Sequence, residues 1–249
     1  MTWRKSFIAG RKVENLAGFL RAFGNLVSST MLSSENLHPL MRYAISDIHG
    51  CPKSFRALLN EIQLDRNDEL FLLGDYIDRG PDSQGVIDLA WELEADGYNV
   101  KSLRGNHEEM LLEAHRGERD VYDWAPSRKH YDKVIAWMDR LPFYFETPGY
   151  ILVHAGLNFQ RTFPFKDKNA MLYSRYFYDT IDYEWLGDRI IVHGHTPARM
   201  LEVKKDIRDM ATNQYACIDA GCSQVAEGMG YLTALNLDTK EGTFVRSQD

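Results

Sequence analysis

Apolar and polar positions along the chain follow two periods. Leu70-Phe71-Leu72-Leu73 and Tyr150-Ile151-Leu152-Val153 are short continuous apolar runs, the pattern of strands buried on both faces. Between such runs apolar residues recur at helical spacing, as with Phe55, Leu58, Leu59 and Ile62. The pattern predicts strands over residues 42–46, 69–73 and 98–103, and helices over 52–63, 82–96 and 107–116. Strand and helix in alternation imply parallel pairing with right-handed crossovers. Residues 129–140 read as a further helix, stopped by Pro142. After it, short strands over 150–153, 189–192, 215–218, 231–237 and 243–246 follow with few helices between, the last two as an antiparallel hairpin. The expected fold is α/β, a mixed β-sandwich flanked by helices, in one domain over residues 41–249.

Residues 1–40 read as an N-terminal extension. Val13, Leu16, Leu20, Phe23 and Val27 fit a short amphipathic helix, and Ser28-Ser29-Thr30 with Ser33-Ser34 a linker. Such a helix docks on the domain or lies on a membrane surface, and the first is expected. Residues 157–188 hold nine aromatic residues, among them Phe159, Phe177 and Trp185, without clear periodicity. Long connections of this kind either serve function or cover a small satellite core.

Composition narrows the function. The formal net charge is -7 over 249 residues, which argues against a general nucleic-acid binder. Residues 1–34 carry +4, so the body is more acidic still at -11. A polyanion binds such a body only where a local positive centre overrides it. No apolar run approaches a membrane span. Three scattered cysteines without a secretory signal point to buried thiols and a cytoplasmic setting.

The strand ends carry the chemistry. Asp47-Ile48-His49-Gly50 follows the first strand, and Gly74-Asp75-Tyr76-Ile77-Asp78-Arg79-Gly80 the second. Asn106-His107-Glu108 follows the third; His154-Ala155-Gly156 and His193-Gly194-His195-Thr196-Pro197 follow two later ones. Each alone has an ordinary explanation: a polar turn, a helix N-terminus, a hydrogen-bonded core histidine. Their ordered occurrence at successive strand ends does not. If the strands lie side by side, carboxylate, amide oxygen and imidazole converge at one edge, a donor set suited to manganese, iron or zinc. His38, His115 and His130 lie outside any cluster.

These motifs, with Ser46 before the first, Arg104-Gly105 before Asn106, and Gly194-His195-Thr196-Pro197, resemble those of the calcineurin-like metallophosphoesterases. The full Gly-Asp-x-x-Asp-Arg-Gly and Gly-Asn-His-Glu forms are similar to the phosphoprotein phosphatase branch, bacterial and phage-lambda type. The resemblance spans residues 42 to about 237. Pro197 stands where other branches carry a second metal-binding histidine, and Ser46 where the family often has glycine.

The resemblance implies two divalent ions bridged by Asp75. Asp47 and His49 would complete one site; Asn106, His154 and His195 would complete the other. His107 would be the general acid, Asp78 its orienting carboxylate, and Arg79 a phosphate-binding arginine. In Leu172-Tyr173-Ser174-Arg175, Arg175 best matches the second phosphate-binding arginine. His193 is then left as a supporting or core residue, and Ile218-Asp219-Ala220-Gly221-Cys222 as structural support. Two ions bring +4 and two carboxylates return -2, so the site is locally positive in an acidic protein. The expected activity is phosphomonoester hydrolysis by a metal-bridging hydroxide, on phosphoserine or phosphothreonine and also phosphotyrosine of a protein. The alternatives are hydrolysis of a bis(5'-nucleosyl) tetraphosphate and, against the intact ligand set, a non-catalytic scaffold. Manganese is the expected metal, and the oligomeric state is not legible.

Overall fold

The computed structural model describes residues 40–120, 122 and 124–249. The extension expected over residues 1–40 lies outside them except for Leu40.

Two sheets face each other. In the first, β1 (Arg42–Ile45), β2 (Glu69–Leu72) and β3 (Asn99–Ser102) run parallel, and β8 (Tyr231–Asn236) and β9 (Glu241–Arg246) add antiparallel, in the order β3-β2-β1-β8-β9. In the second, β4 (Tyr144–Thr147) pairs antiparallel with β5 (Tyr150–Val153). β6 (Ile190–His193) and β7 (Tyr215–Cys217) continue it in parallel.

The continuous apolar runs follow from this layering. Successive strand residues point to opposite faces. Ala44, Phe71, Leu73, Leu152, Val192 and Leu235 pack together between the sheets. Ile45, Leu70 and Leu72 point the other way, against α1 (Pro52–Glu61), α2 (Ser83–Ala95), α3 (Asn106–His115) and α4 (Tyr131–Arg140), through Phe55, Ile87, Leu111 and Val134. The outer face of the second sheet presents Ile151, Val153 and Ile191 to Met171, Phe177 and Leu186. Most of the aromatic stretch thus covers a satellite core, with Phe165 stacked on Tyr144 at 4.0 Å and Trp185 edge-on to Phe165. Short helices α5 (Lys168–Tyr173) and α6 (Tyr183–Leu186) punctuate that stretch.

Besides these short helices, the sequence pattern missed two elements. Helix α7 (Met200–Asn213) buries Val203, Ile207 and Met210 at helical spacing, but polar residues surround them and Leu201 is exposed, so the apolar stripe is thin. Strand β4 is a half-buried edge strand with a weak signal. The hairpin is antiparallel as expected, with β9 starting at Glu241 rather than Thr243. Helix α3 starts at Asn106 itself, and Gly105 is its N-cap.

Register brings the strand ends level. Ile45 pairs with Leu72 and Leu72 with Ser102, so the loops bearing Asp47, Asp75 and Asn106 leave one edge of the first sheet. Leu152 pairs with Val192, which sets the loops bearing His154 and His195 together in the second. Among the described residues no helix is long and apolar enough to cross a membrane.

Candidate metal centre

The loops at this edge hold unusual backbone. Asp47, His49, Asp75, Asp78, Arg79 and His195 all have φ between 47° and 70°. Non-glycine residues there cost about 1–3 kcal/mol each and persist only where surroundings fix them. Glu108 fixes much of this backbone. Fully buried, its carboxylate accepts the backbone N–H groups of Asp75, Tyr76 and Gly105, each at 2.9 Å. The second and third loops are thereby tied together. Gly74 has φ +94°, and a Cβ there would meet the Gly105 nitrogen at 2.5 Å, so only glycine fits where these loops cross.

The first cluster is Asp47, His49 and Asp75. His49 Nδ1 lies 2.8 Å from the Ile77 carbonyl, which turns Nε2 inward. Asp47 Oδ2 accepts the His195 N–H at 2.9 Å and contacts the Ser46 hydroxyl, which leaves Oδ1 free. Asp47 Oδ1 and His49 Nε2 are buried without a hydrogen-bond partner, 3.8 Å apart. Asp75 Oδ2 lies 3.4 Å from the same His49 nitrogen. Two buried polar atoms without a hydrogen-bond partner, both able to donate a lone pair, fit the donor set of a divalent cation.

The second cluster shares Asp75. His154 donates from Nδ1 to the Leu73 carbonyl at 2.9 Å, so its Nε2 lone pair faces Asn106 Oδ1 at 3.0 Å and Asp75 Oδ1 at 3.5 Å. His195 Nδ1 lies 2.8 Å from the same Asn106 oxygen. Lone pairs crowded on one point repel unless a cation sits among them. Asp75 therefore turns one oxygen to each cluster, and the donors fit a pair of divalent ions. Burial, helped by His154, pushes His195 down to about 3, so its ring is neutral and able to ligate. Burial works against the charge on Asp75, but His154, His49 and His107 outweigh it and hold its carboxyl below the usual range.

His107 stands beside the first cluster and is held differently. Its Nδ1 lies 2.5 Å from Asp78 Oδ2, and its Nε2 is 3.9 Å from Asp75 Oδ2 and 3.4 Å from Arg79 Nη2. A guanidinium at that nitrogen disfavours a second cation there. Burial opposes a charge on the imidazole, but the Asp78 hydrogen bond and the carboxylates of Asp75 and Glu108 outweigh it, and its pKa rises. The Tyr122 hydroxyl donates to Asp78 Oδ2 and completes a relay of three side chains.

Nine of the ten sequence-derived residues therefore meet at one edge. Arg175 makes no hydrogen bond or ion pair with any of them, although its positive charge contributes to the lowered pKa of His195. Three residues escaped the sequence reading. Glu108 shows a local signal, three positions after its N-cap, but nothing local reveals its reach to Asp75 and Tyr76. Tyr122 is 44 residues from Asp78 with no pattern to mark it. The hydroxyl of Ser46, where the resembled family often has glycine, donates to Asp47 Oδ2 and helps orient it.

His193 and His195 differ sharply despite their spacing. His193 spends Nδ1 on the Gly194 carbonyl at 3.0 Å and Nε2 on the Tyr178 hydroxyl at 3.1 Å, and packs edge-on to Phe177. Burial pushes it down to about 4. With no free lone pair it cannot ligate. His195→Ala is expected to lower bound metal and abolish most turnover, and His193→Ala to keep its metal. Elemental analysis of both variants checks this; equal metal loss would contradict the assignment.

Comparison with known proteins follows the same residues. A sequence profile of the calcineurin-like phosphoesterases matches residues 42–227. A symmetrical bis(5'-nucleosyl)-tetraphosphatase from Aromatoleum aromaticum is 35% identical over 122 residues, 46% of this chain and 44% of that protein. The chain thus matches less than half the length of such curated relatives. A crystal structure provisionally described as a diadenosine tetraphosphatase superposes with a TM-score of 0.58 at 21% identity, covering 86% of this chain and 96% of that one. A protein serine/threonine phosphatase from Saccharomyces cerevisiae superposes with a TM-score of 0.64 at 16% identity, covering 87% and 82%.

Proposed function

The chain belongs to the calcineurin-like phosphoesterase family and is a metal-dependent phosphoesterase, and from that premise we propose that its substrate is a dinucleoside tetraphosphate, cleaved symmetrically. The observation that carries this choice is the similarity, 35% over 122 residues, to symmetrical tetraphosphatases. It favours what the sequence reading held as the alternative over the protein phosphatase it put first.

In this reading Asp47, His49 and Asp75 would hold one ion, and Asp75, Asn106, His154 and His195 the other. Bound there, divalent ions supply positive charge to phosphate oxygens and lower the pKa of water. Arg79, beside the first cluster, and Arg175 would grip non-bridging oxygens through their planar forks. His107 would give its Nε2 proton to the leaving oxygen, with Asp78 and Tyr122 holding the ring by Nδ1. A site that gathers cations in an acidic chain suits a polyanionic substrate.

A second reading keeps the phosphoprotein. The tightly held His107–Asp78–Tyr122 relay favours it, because an alkoxide needs a proton more than a nucleoside diphosphate does.

A substrate panel with added manganese separates the two. Diadenosine tetraphosphate is expected to give the highest kcat/KM and two nucleoside diphosphates as product. A higher kcat/KM on phosphopeptides than on the dinucleotide would overturn the proposal in favour of the second reading.

A further inference from the structure

A cleft of about 570 Å³ adjoins the metal centre on the His107 side. Arg79 lines it, and Arg79 Nη2 lies 3.4 Å from His107 Nε2. Residues 222–230, between β7 and β8, form a wall, and Arg246 at the end of β9 lines the cleft as well. Backbone hydrogen bonds fix that wall. Gly230 donates to the Gly221 carbonyl at 3.0 Å, Ser247 to Gly230 at 2.8 Å and Met200 to Gly228 at 2.8 Å. Two guanidinium groups thus face one cleft of an acidic chain, and among the described residues neither forms an ion pair. Two carboxylates line it too. Asp249 is spent on the start of α1, where it accepts the N–H groups of Lys53 and Ser54 at 3.2 and 2.9 Å and the Ser54 hydroxyl at 2.7 Å. Glu227 is exposed and, among the described residues, makes no ion pair.

We propose that this cleft holds the leaving half of the substrate, a nucleoside diphosphate, with Arg246 on the phosphate next to the ribose. His107 decides the side. Its Nε2 would protonate the leaving oxygen, and Arg79 stands at that nitrogen and also lines the cleft, so what departs from phosphorus departs into it. A second unpaired guanidinium in the same cleft fits a second phosphate, which a phosphopeptide does not carry. A free carboxylate such as Glu227 can accept from ribose hydroxyls. The volume falls within the range of about 300–1,000 Å³ that small-ligand sites occupy. The inference rests on the dinucleotide reading of the metal centre and adds where the departing half lies and which residue holds it.

The test compares a ligand that reaches the cleft with one that does not. Equilibrium binding of ADP and of inorganic phosphate to the manganese-loaded protein is measured by calorimetry for wild type, Arg246→Ala and Arg246→Lys. Arg246 is exposed, so its removal leaves no buried group unpaired and the variants should melt as the wild type does. Arg246→Ala is expected to weaken ADP about 10-fold or more, the contribution of a hydrogen bond to a charged group, and to leave phosphate affinity unchanged. Arg246→Lys should recover part of the loss, because it keeps the charge and not the fork. Unchanged ADP affinity in Arg246→Ala, or an equal loss for phosphate, would overturn the subsite. So would an affinity for phosphopeptide that falls in Arg246→Ala while that for ADP does not. Failure to cleave the dinucleotide with the Arg246-dependent ADP binding intact would overturn the substrate reading and leave the subsite standing.

Discussion

Removal of the His107 imidazole is expected to leave metal binding intact and to cut turnover of an alkyl phosphate by about 10²–10⁴-fold, the usual contribution of a positioned general acid. The ring lies at the rim of the first cluster, and its Nδ1 is spent on Asp78. Only Nε2 faces the site, beside the Arg79 guanidinium. A proton delivered there matters in proportion to the basicity of the leaving oxygen. The loss in His107→Ala should therefore be largest on phosphoserine, smaller on p-nitrophenyl phosphate, and small on a dinucleoside tetraphosphate, whose leaving group departs as a stabilised anion. Asp78→Asn should follow the same order more weakly, since Asp78 acts only through the ring. Metal content and kcat on the three substrates provide the check. Metal loss in His107→Ala, or equal damage on every leaving group, would remove His107 from the general-acid role.

Substitution of Glu108 is expected to be the most destabilising change near the site. Three buried N–H groups depend on its two oxygens. An unsatisfied buried donor costs about 1–3 kcal/mol, so Glu108→Ala should lose about 3 kcal/mol or more even where water fills part of the gap. For a domain of this size that lowers Tm by about 6–12 °C. Glu108→Gln keeps the shape but points an amide N–H₂ at backbone donors, and should fall between. Burial and the neighbouring Asp75 push the Glu108 carboxyl up to about 7, while the N–H groups of Asp75 and Tyr76 pull it down. Because Asp75 hangs from this carboxylate, metal affinity should fall by about 10–100-fold in both variants, as when the support of a ligand is lost. Thermal melts and metal titrations measure both effects. A glutamine variant with wild-type Tm and affinity would reduce Glu108 to a space-filling residue.

What was legible in the sequence depended on locality. The β1, β2 and β5 runs were plain because, beyond Arg42 and Glu69 at the strand starts, residues buried on both faces form an unbroken apolar run. The candidate donors Asp47, Asp75 and His154 were plain because each stands within a few residues of such a run. Helix α7 was missed although Val203, Ile207 and Met210 are spaced for a helix, because they are outnumbered by charged neighbours. The aromatic stretch could not be divided into core and surface from sequence, since Phe177 and Tyr176 adjoin and only packing tells them apart. Residues that act through others were hidden for the same reason. Tyr122 meets Asp78, and Glu108 meets Asp75, only once the chain has folded.

The central claim is a pair of ions sharing Asp75, whose two oxygens face different clusters. Metal content per chain after manganese loading, measured on wild type and Asp75→Ala by elemental analysis, tests it most directly. The account predicts two ions in the wild type and loss of both in the variant, with phosphoesterase activity lost in parallel. An Asp75→Ala protein that keeps both ions, or a wild type that hydrolyses phosphate esters with no metal bound in excess chelator, would contradict it.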